Sequence, residues 1–301
     1  MPACLTKSCF ESTAARRLPG HGFATACDSY YHAKRHGCKP LMHLVKLGGS
    51  ILTDKSQYAV AREADIARLA GEWAGHGPGL IVHGAGSFGH TLARQHDLKR
   101  GDDGDAARRF AAARVHADVR RLGGQVVAAL IAADVPALWF SAADIAVLKG
   151  GELVDMDTSA IARALDLGFV PVVSGDVVPD TTRGWGILSG DVWMASLAVA
   201  MQPALAIFAT DVDGLYDRDP QQRGARFLAR VGRDIVLDAS SGGGSPAATR
   251  ADVTGAMAGK LARARQVAKH AGRTLILNGA EPGRLAEALS GRPVIASEVE
   301  G

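Results

Sequence analysis

Ten consecutive residues, Ile81 to His90, read Ile-Val-His-Gly-Ala-Gly-Ser-Phe-Gly-His. Gly84, Gly86 and Gly89 carry no Cβ, so a ligand can come within hydrogen-bonding distance of the main chain. Placed between a strand and a helix, such a loop aims N–H groups at an anion. His83 and His90 bracket it. Two further stretches combine glycine with a cation. Lys46-Leu47-Gly48-Gly49-Ser50 is followed by Lys55, and Gly255 and Gly259 precede Lys260, which reads as a lysine opening a helix. Glycine turns with lysines suit phosphoryl transfer, which needs positioning and positive charge more than covalent help. Each lysine also has a plainer reading: Lys46 as a snorkelling edge-strand side chain, Lys260 as a solvated one.

Gly84 to Gly89 also spells G-x-G-x-x-G, the dinucleotide fingerprint. That motif wants an acid about 20 residues on, at the end of the next strand. Here Asp102, Asp103 and Asp105 come early, in a polar stretch, and the loop follows the second strand of the fold instead of the first. A nicotinamide enzyme is therefore a poor fit. There is no Walker A sequence, because Leu261 follows Gly259-Lys260.

The elements that must position these loops follow from periodicity. Residues 43–47 and 79–83 are short apolar runs ending in glycine and read as buried strands. Ile66, Leu69 and Trp73 share a helical face and predict a helix over 58–75. A helical pattern over 105–133 reads as two segments meeting near Gly123-Gly124. Further strands are predicted at 136–140, 170–173, 204–209, 274–277 and 293–296, and helices at 157–167, 191–201, 258–270 and 283–289. Residues 177–188 read as a hairpin, with Asp176 and Asp180 as turn formers. Residues 240–246 read as a Ser/Gly-rich loop. Alternating strands and helices imply an α/β fold, a three-layer αβα sandwich around a mostly parallel sheet. A division near Met201-Gln202-Pro203 separates lobes at about 42–201 and 202–301.

Charge and cysteine content exclude other classes. The net charge is +3, but residues 1–41 hold six Lys/Arg against two Asp/Glu, and the remaining 28 basic and 29 acidic side chains nearly cancel. No nucleic-acid footprint survives that subtraction. Cys4, Cys9, Cys27 and Cys38 all precede residue 41, whereas a disulfide framework would be spread through the fold it staples. A zinc site with His21, His32 and His36 lacks a tight Cys-x-x-Cys pair. Residues 1–41 have no apolar core of a secretory signal and read as a disordered leader or upstream-start extension before Met42. No apolar run reaches the roughly 18 residues of a membrane helix, so a soluble, cytoplasmic protein without a membrane partner is expected.

Five spaced motifs occur in the order of the amino acid kinase superfamily: Lys46-Leu-Gly-Gly-Ser50, the 83–90 loop, Ser189-Gly-Asp191, Thr210-Asp-Val-Asp-Gly-Leu-Tyr216 and Thr254-Gly-Ala-Met257. Within it, residues 42–301 resemble the isopentenyl phosphate kinase family through His90 and through Val173-Ser-Gly-Asp-Val-Val178 with Ile187-Leu-Ser-Gly-Asp191. The resemblance implies ATP-dependent phosphorylation of a phosphate acceptor, with Mg2+ as cofactor and a homodimeric assembly. It casts Lys46, Lys55, His90, Asp191 and Lys260 as catalytic. It assigns Gly48, Gly49, Ser50, Ala85, Asp211, Asp213, Gly214, Gly255 and Gly259 to ATP, together with Lys46 and Lys260. Gly84, Gly86, Ser87, Gly89 and Gly175 fall with His90 to the acceptor. No metal-ligating residue is implied. The family often has glycine where Ala85 and Ala256 stand.

A phosphate monoester loses its second proton near pH 6, so the acceptor is already a nucleophile at neutral pH and needs no general base. His90 then serves as a hydrogen-bond donor that positions it; the plain alternative is a helix-start histidine. His83 reads as a structural strand-end residue. Phe88, Phe110, Val115, Val119 and Leu122 offer apolar surface for an isoprenoid tail, and core packing explains them equally well. A fosfomycin-type phosphonate kinase shares a similar histidine loop. A non-catalytic nucleotide sensor on the same fold would not need Lys46, Lys55, Asp191 and Lys260 together.

Overall fold

The computed structural model describes residues 42–218, 223–235 and 251–301. The leader at 1–41 and the loop at 240–246 lie outside the described residues.

β1 (His43–Leu47) and β2 (Gly79–His83) form where the sequence predicts, because both are apolar runs with core on both faces. Between them stand a single turn, α1 (Gly49–Leu52), and α2 (Glu63–Trp73), shorter than the predicted 58–75. After β2 come the glycine loop and the short α3 (His90–Gln95). α4 (Ala106–Ala132) is one unbroken helix instead of two segments. Gly123 does not break it. A Cβ there would collide with the Trp139 ring, so the glycine makes room for a neighbour while alanine-rich flanks carry the helix.

β3 (Ala137–Trp139) leads to α5 (Ala142–Ile145) and then to β4 (Ala146–Lys149) and β5 (Glu152–Met156), a pair the sequence reading did not anticipate. α6 (Ser159–Asp166) and β6 (Val170–Ser174) follow. β7 (Asp176–Asp180) and β8 (Gly184–Leu188) make the predicted hairpin. α7 (Gly190–Met201) is capped by Ser189, whose Oγ accepts from the Val192 N–H, and β9 (Leu205–Thr210) is buried throughout. Then come β10 (Leu215–Tyr216), β11 (Phe227–Leu228), β12 (Arg230–Val231), α8 (Ala251–Ala268), β13 (Arg273–Asn278), α9 (Arg284–Leu289) and β14 (Ala296–Val299).

The main sheet has the order β12-β14-β13-β9-β1-β2-β6-β3. From β13 to β3 every pairing is parallel, whereas β14 runs antiparallel to β13. Alternate strand residues feed two cores. Val45, Leu47 and Ile81 pack under α2, α4 and α9, while Leu44, Leu80 and Val82 pack under α6, α7 and α8. These are the three layers expected. A smaller sheet, β5-β4-β7-β8, lies beside them. β14 falls three residues beyond the predicted 293–296, since Ser297 is buried, accepting from the Leu215 N–H and donating to the Leu228 carbonyl. Among the described residues no helix is long and apolar enough to cross a membrane.

The chain leaves β1 toward β2 and β6, and leaves β9 toward β13. The direction therefore reverses between two adjacent strands, β1 and β9. In open α/β sheets the crevice beyond the strand carboxyl ends at such a reversal is where ligands bind.

Candidate active site

Lys46 sits next to last in β1, between Val82 of β2 and Phe208 of β9. It is central in the sheet, which overturns the edge-strand reading. Strand alternation sends its side chain toward the first turn of α7. Gly190 leaves space there: an added Cβ would stand 3.3 Å from Lys46 Cε. Lys46 Nζ then donates to Asp191 Oδ1 at 2.5 Å, with only 12% of the lysine side chain exposed. A lysine this buried costs free energy unless paired, and Asp191 is that pair.

The glycine turns after β1 and β2 interlock. A Cβ on Gly84 would lie 2.5 Å from the Gly49 nitrogen, and one on Gly49 would collide with the Gly86 backbone. Gly86 also has a φ of +51°, in the left-handed region. Thr53 stitches the two loops: its hydroxyl donates to the Gly49 carbonyl at 2.8 Å and accepts from the Ser87 N–H at 3.0 Å. Gly48 N–H donates to the Ala209 carbonyl of β9 at 2.9 Å, and Gly84 N–H to that of Leu47 at 2.8 Å. Ser87 and Gly89 are buried, and Ala85 is partly so. His90 is exposed as the first residue of α3.

Beyond β9, Asp211 accepts from Lys55 Nζ at 2.7 Å and from Ser50 Oγ at 3.0 Å. Burial pushes its carboxyl up, but the hydrogen bond and charge of Lys55, with Ser50, outweigh this and hold it at about 2. Lys260 Nζ donates to Thr210 Oγ1 at 3.0 Å, and that hydroxyl reaches Asp211 Oδ1 at 3.2 Å. Burial, and then the charge of Lys46, bring the Lys260 ammonium down to about 8. Three lysines thus face two carboxylates across one crevice. That surplus of positive charge fits an anion.

Lys260 reaches this point from inside α8, as its tenth residue, not from the helix opening the sequence suggested. Gly255 lies in the same helix, and a Cβ on Gly259 would meet nothing within 4 Å. Asp213 is held by Arg284 and by Asn278 Nδ2 at 3.4 Å. Gly214 packs against Ser297 and Phe227. Gly175 sits against the Ser189-Gly190 turn, with 2.8 Å between its would-be Cβ and the Gly190 nitrogen. His83 is fully buried, its Nδ1 3.2 Å from the Gly84 carbonyl and its ring 5.5 Å from that of Trp139. Burial lowers it to about 4, so it is neutral and structural.

Phe88, Val115, Val119 and Leu122 are core residues, whereas Phe110 is exposed. The apolar surface beside the loop comes instead from partly buried Ala85, Leu92, Ala93, Val177, Trp185 and Ile187, packed on Val115 and Val119. Sequence reading missed Thr53, whose hydroxyl joins two loops, and gave no role to Thr210, which opens one of the motifs and links Lys260 to Asp211. It also set Asp176 aside as a turn former. Asp176 is a buried strand residue bonded to His116 at 2.8 Å, and His116 carried no signal because it lies alone in a helix.

A family model for the amino acid kinase family matches residues 42–278. Isopentenyl phosphate kinase from Methanothermobacter thermautotrophicus is 34% identical over 269 residues, 86% of this chain and 99% of that protein. The enzyme of the same name from Thermoplasma acidophilum is 34% identical over 199 residues, covering 65% of this chain and 78% of that one. A solved structure of isopentenyl phosphate kinase superposes with a TM-score of 0.74 at 30% identity, covering 86% of this chain and 99% of the other. UMP kinase from Ureaplasma parvum, 16% identical with a TM-score of 0.57, shares the fold. The chain belongs to the amino acid kinase family, on its isopentenyl phosphate kinase branch.

Proposed function

We propose that this enzyme transfers the γ-phosphoryl group of ATP to isopentenyl phosphate, giving isopentenyl diphosphate by direct in-line displacement. The observation that carries the reading is the convergence of Lys46, paired with Asp191, and partly buried Lys260 on the crevice where the sheet reverses. Positive charge fixed there offsets the charge spread over the transferring oxygens. Lys46 bridges donor and acceptor phosphates, and Asp191 orients it. Lys55 and Lys260 stabilise the transferring group, and the turns at Gly48–Ser50 hold the nucleotide phosphates. Asp211, Asp213, Gly214, Gly255 and Gly259 serve the nucleotide side, within a lobe of residues 202–301. The loop from Gly84 to His90, with Gly175, serves the acceptor side, and the apolar surface at Leu92, Val177 and Ile187 takes the isoprenyl tail.

Any magnesium would be held by the nucleotide's own phosphates. Asp191 and Asp211 each already hold a lysine, and no three His, Cys, Asp or Glu gather as a metal-holding group among the described residues. Mg2+ is commonly bound through substrate phosphates with few protein ligands, and it would neutralise charge on the γ-phosphate. A cytoplasmic homodimer completes the proposal.

The test is phosphorus NMR of the protein with Mg-ATP and isopentenyl phosphate, dimethylallyl phosphate, fosfomycin or amino acids. Diphosphate signals appear only with the isoprenoid phosphates; turnover confined to fosfomycin would overturn the substrate assignment. In the same assay His90→Ala cripples transfer, roughly 100-fold or more, while calorimetry finds ATP binding retained. Equal loss of ATP binding would move His90 to the nucleotide side.

A further inference from the structure

Asp176 is the first residue of β7, and its side chain is 1% exposed. Its Oδ2 lies 2.8 Å from His116 Nδ1 on α4, and its Oδ1 accepts from the Val177 N–H at 2.7 Å. A buried carboxylate held by so few donors is a poor device for stability, since a well-packed apolar pair at the same place does as well or better. What distinguishes the pair is what it joins. Next to Asp176 stands Gly175, whose would-be Cβ is 2.8 Å from both the Gly190 nitrogen and the Leu188 carbonyl. That Ser189-Gly190 turn begins α7 and carries Asp191, the partner of Lys46. On the other side, His116 follows Val115, which packs with Val119 against Val177, Trp185 and Ile187 beside the glycine loop. The pair therefore ties the helix behind the acceptor surface to the turn behind the catalytic lysine.

We propose that His116 and Asp176 are a positioning pair that holds the acceptor wall in register with the Lys46–Asp191 pair. This rests on the reading of that surface as the acceptor side. Neither residue contacts the reacting atoms; both act through Gly175 and the Ser189-Gly190 turn. Because the Asp176 carboxyl titrates, the register depends on pH. Burial raises the Asp176 carboxyl to about 6 against the pull of His116. The other charge acting on it is Asp144 of α5, which also raises it. β8 contains no titratable residue, and Lys149 of β4 is exposed at the strand end nearest Asp180, away from Asp176. On α4 the neighbouring Arg114, Arg120 and Arg121 are all exposed, and Arg114 and Arg121 bond Asp118. Below the Asp176 value the carboxyl takes a proton and becomes a poorer acceptor, so its hold on His116 weakens.

The experiment compares His116→Ala, His116→Gln and Asp176→Asn with the wild type in full steady-state kinetics and thermal melts. A misplacement transmitted from outside the reacting centre costs about 10- to 100-fold in rate. His116→Ala is expected to lose that much in kcat and to raise the acceptor KM, leaving the ATP KM unchanged. His116→Gln, which still donates to the buried carboxylate, recovers most of the loss. With both substrates saturating, wild-type kcat falls below about pH 6 and Asp176→Asn loses that limb. Unchanged kinetics in His116→Ala would overturn the proposal. So would equal rises in both KM values that track a lowered melting temperature, because that pattern is a purely structural role. Should His116→Ala fail to fold, the glutamine variant and the pH profile of Asp176→Asn decide alone. The acceptor used is whichever phosphate or phosphonate the wild type phosphorylates, so a wrong substrate assignment shows in the wild type and leaves the pair's test intact.

Discussion

Lys46 and Asp191 lie 145 positions apart in the chain and meet at 2.5 Å, one on the central strand and the other in the first turn of α7. The carboxylate sits where the helix N-terminus already favours negative charge, and Gly190 clears the path of the lysine stem. Truncating one partner of a hydrogen-bonded charge pair costs roughly 2–5 kcal/mol. Asp191→Asn is accordingly expected to lower kcat about 10²- to 10³-fold, with a smaller effect on ATP affinity. Rapid-quench or coupled-assay kinetics beside calorimetry read both; a variant within tenfold of wild-type kcat would refute the pairing's role.

Lys260 supplies a pH signature. Its ammonium is depressed to about 8 by burial and by Lys46, so the free enzyme loses that charge as pH rises through this value. The profile of kcat/KM for ATP, which reports the free enzyme, should fall on the alkaline side with a midpoint near there. Arginine stays charged throughout, so Lys260→Arg, even if slower, should show no such limb. An identical limb in the arginine variant would assign it elsewhere.

The methyl of Ala85 faces Gly89. A Cβ on Gly89 would lie 2.6 Å from Ala85 Cβ, with Val119 at an ordinary 3.6 Å. The Gly89 φ of −114° is open to any residue. Gly89→Ala should therefore destabilise by about 1–3 kcal/mol through overpacking alone. Adding Ala85→Gly should restore most of it, a coupling readable in a double-mutant cycle by urea unfolding. Additive losses would contradict the contact.

Asp180 is the stability counterpart of these site residues. It accepts from the N–H groups of Gly150, Gly151, Thr182 and Arg183 at 2.6–2.9 Å, fastening the β7–β8 turn to the β4–β5 turn. Burial raises its carboxyl, and the four backbone donors outweigh that to hold it at about 2, below its ordinary 3.8. A depressed carboxyl contributes stability that is present above the unfolded value and lost as pH falls through the folded one. Asp180→Asn should lose roughly 2 kcal/mol at pH 7, and its gap to the wild type should close between about pH 4 and 2. Urea titrations across that range check it; a gap constant with pH would discard the ionic account.

How far the chain was legible depends on where its signal lies. β1, β2 and the β7–β8 hairpin could be read closely because their apolar runs end at glycine or turn residues. β4 and β5 went unread because β5 is largely exposed and carries no alternating apolar face. β14 was misplaced because its buried Ser297 accepts a hydrogen bond from Leu215 of β10 and donates one to Leu228 of β11, which no local pattern reports. Gly123 looked like a break only while its neighbour Trp139 was unknown.

The sequence by itself determined the alternation of strands and helices, the glycine turns and the identity of the cations, because these rest on local backbone freedom and on side-chain chemistry. It also carried enough spaced motif to point to the family. Only the tertiary structure decided that Lys46 is central and meets Asp191, that Lys260 enters from mid-helix, and that Asp176 is a buried partner of His116. The first two arise from parallel pairing of β9 with β1 and β1 with β2, which sets Lys46 mid-sheet, 145 positions from its partner Asp191, and the third from α4 lying against β7 of the smaller sheet. No local free-energy preference encodes them, since each charge is tolerable in the interior only once its partner has arrived.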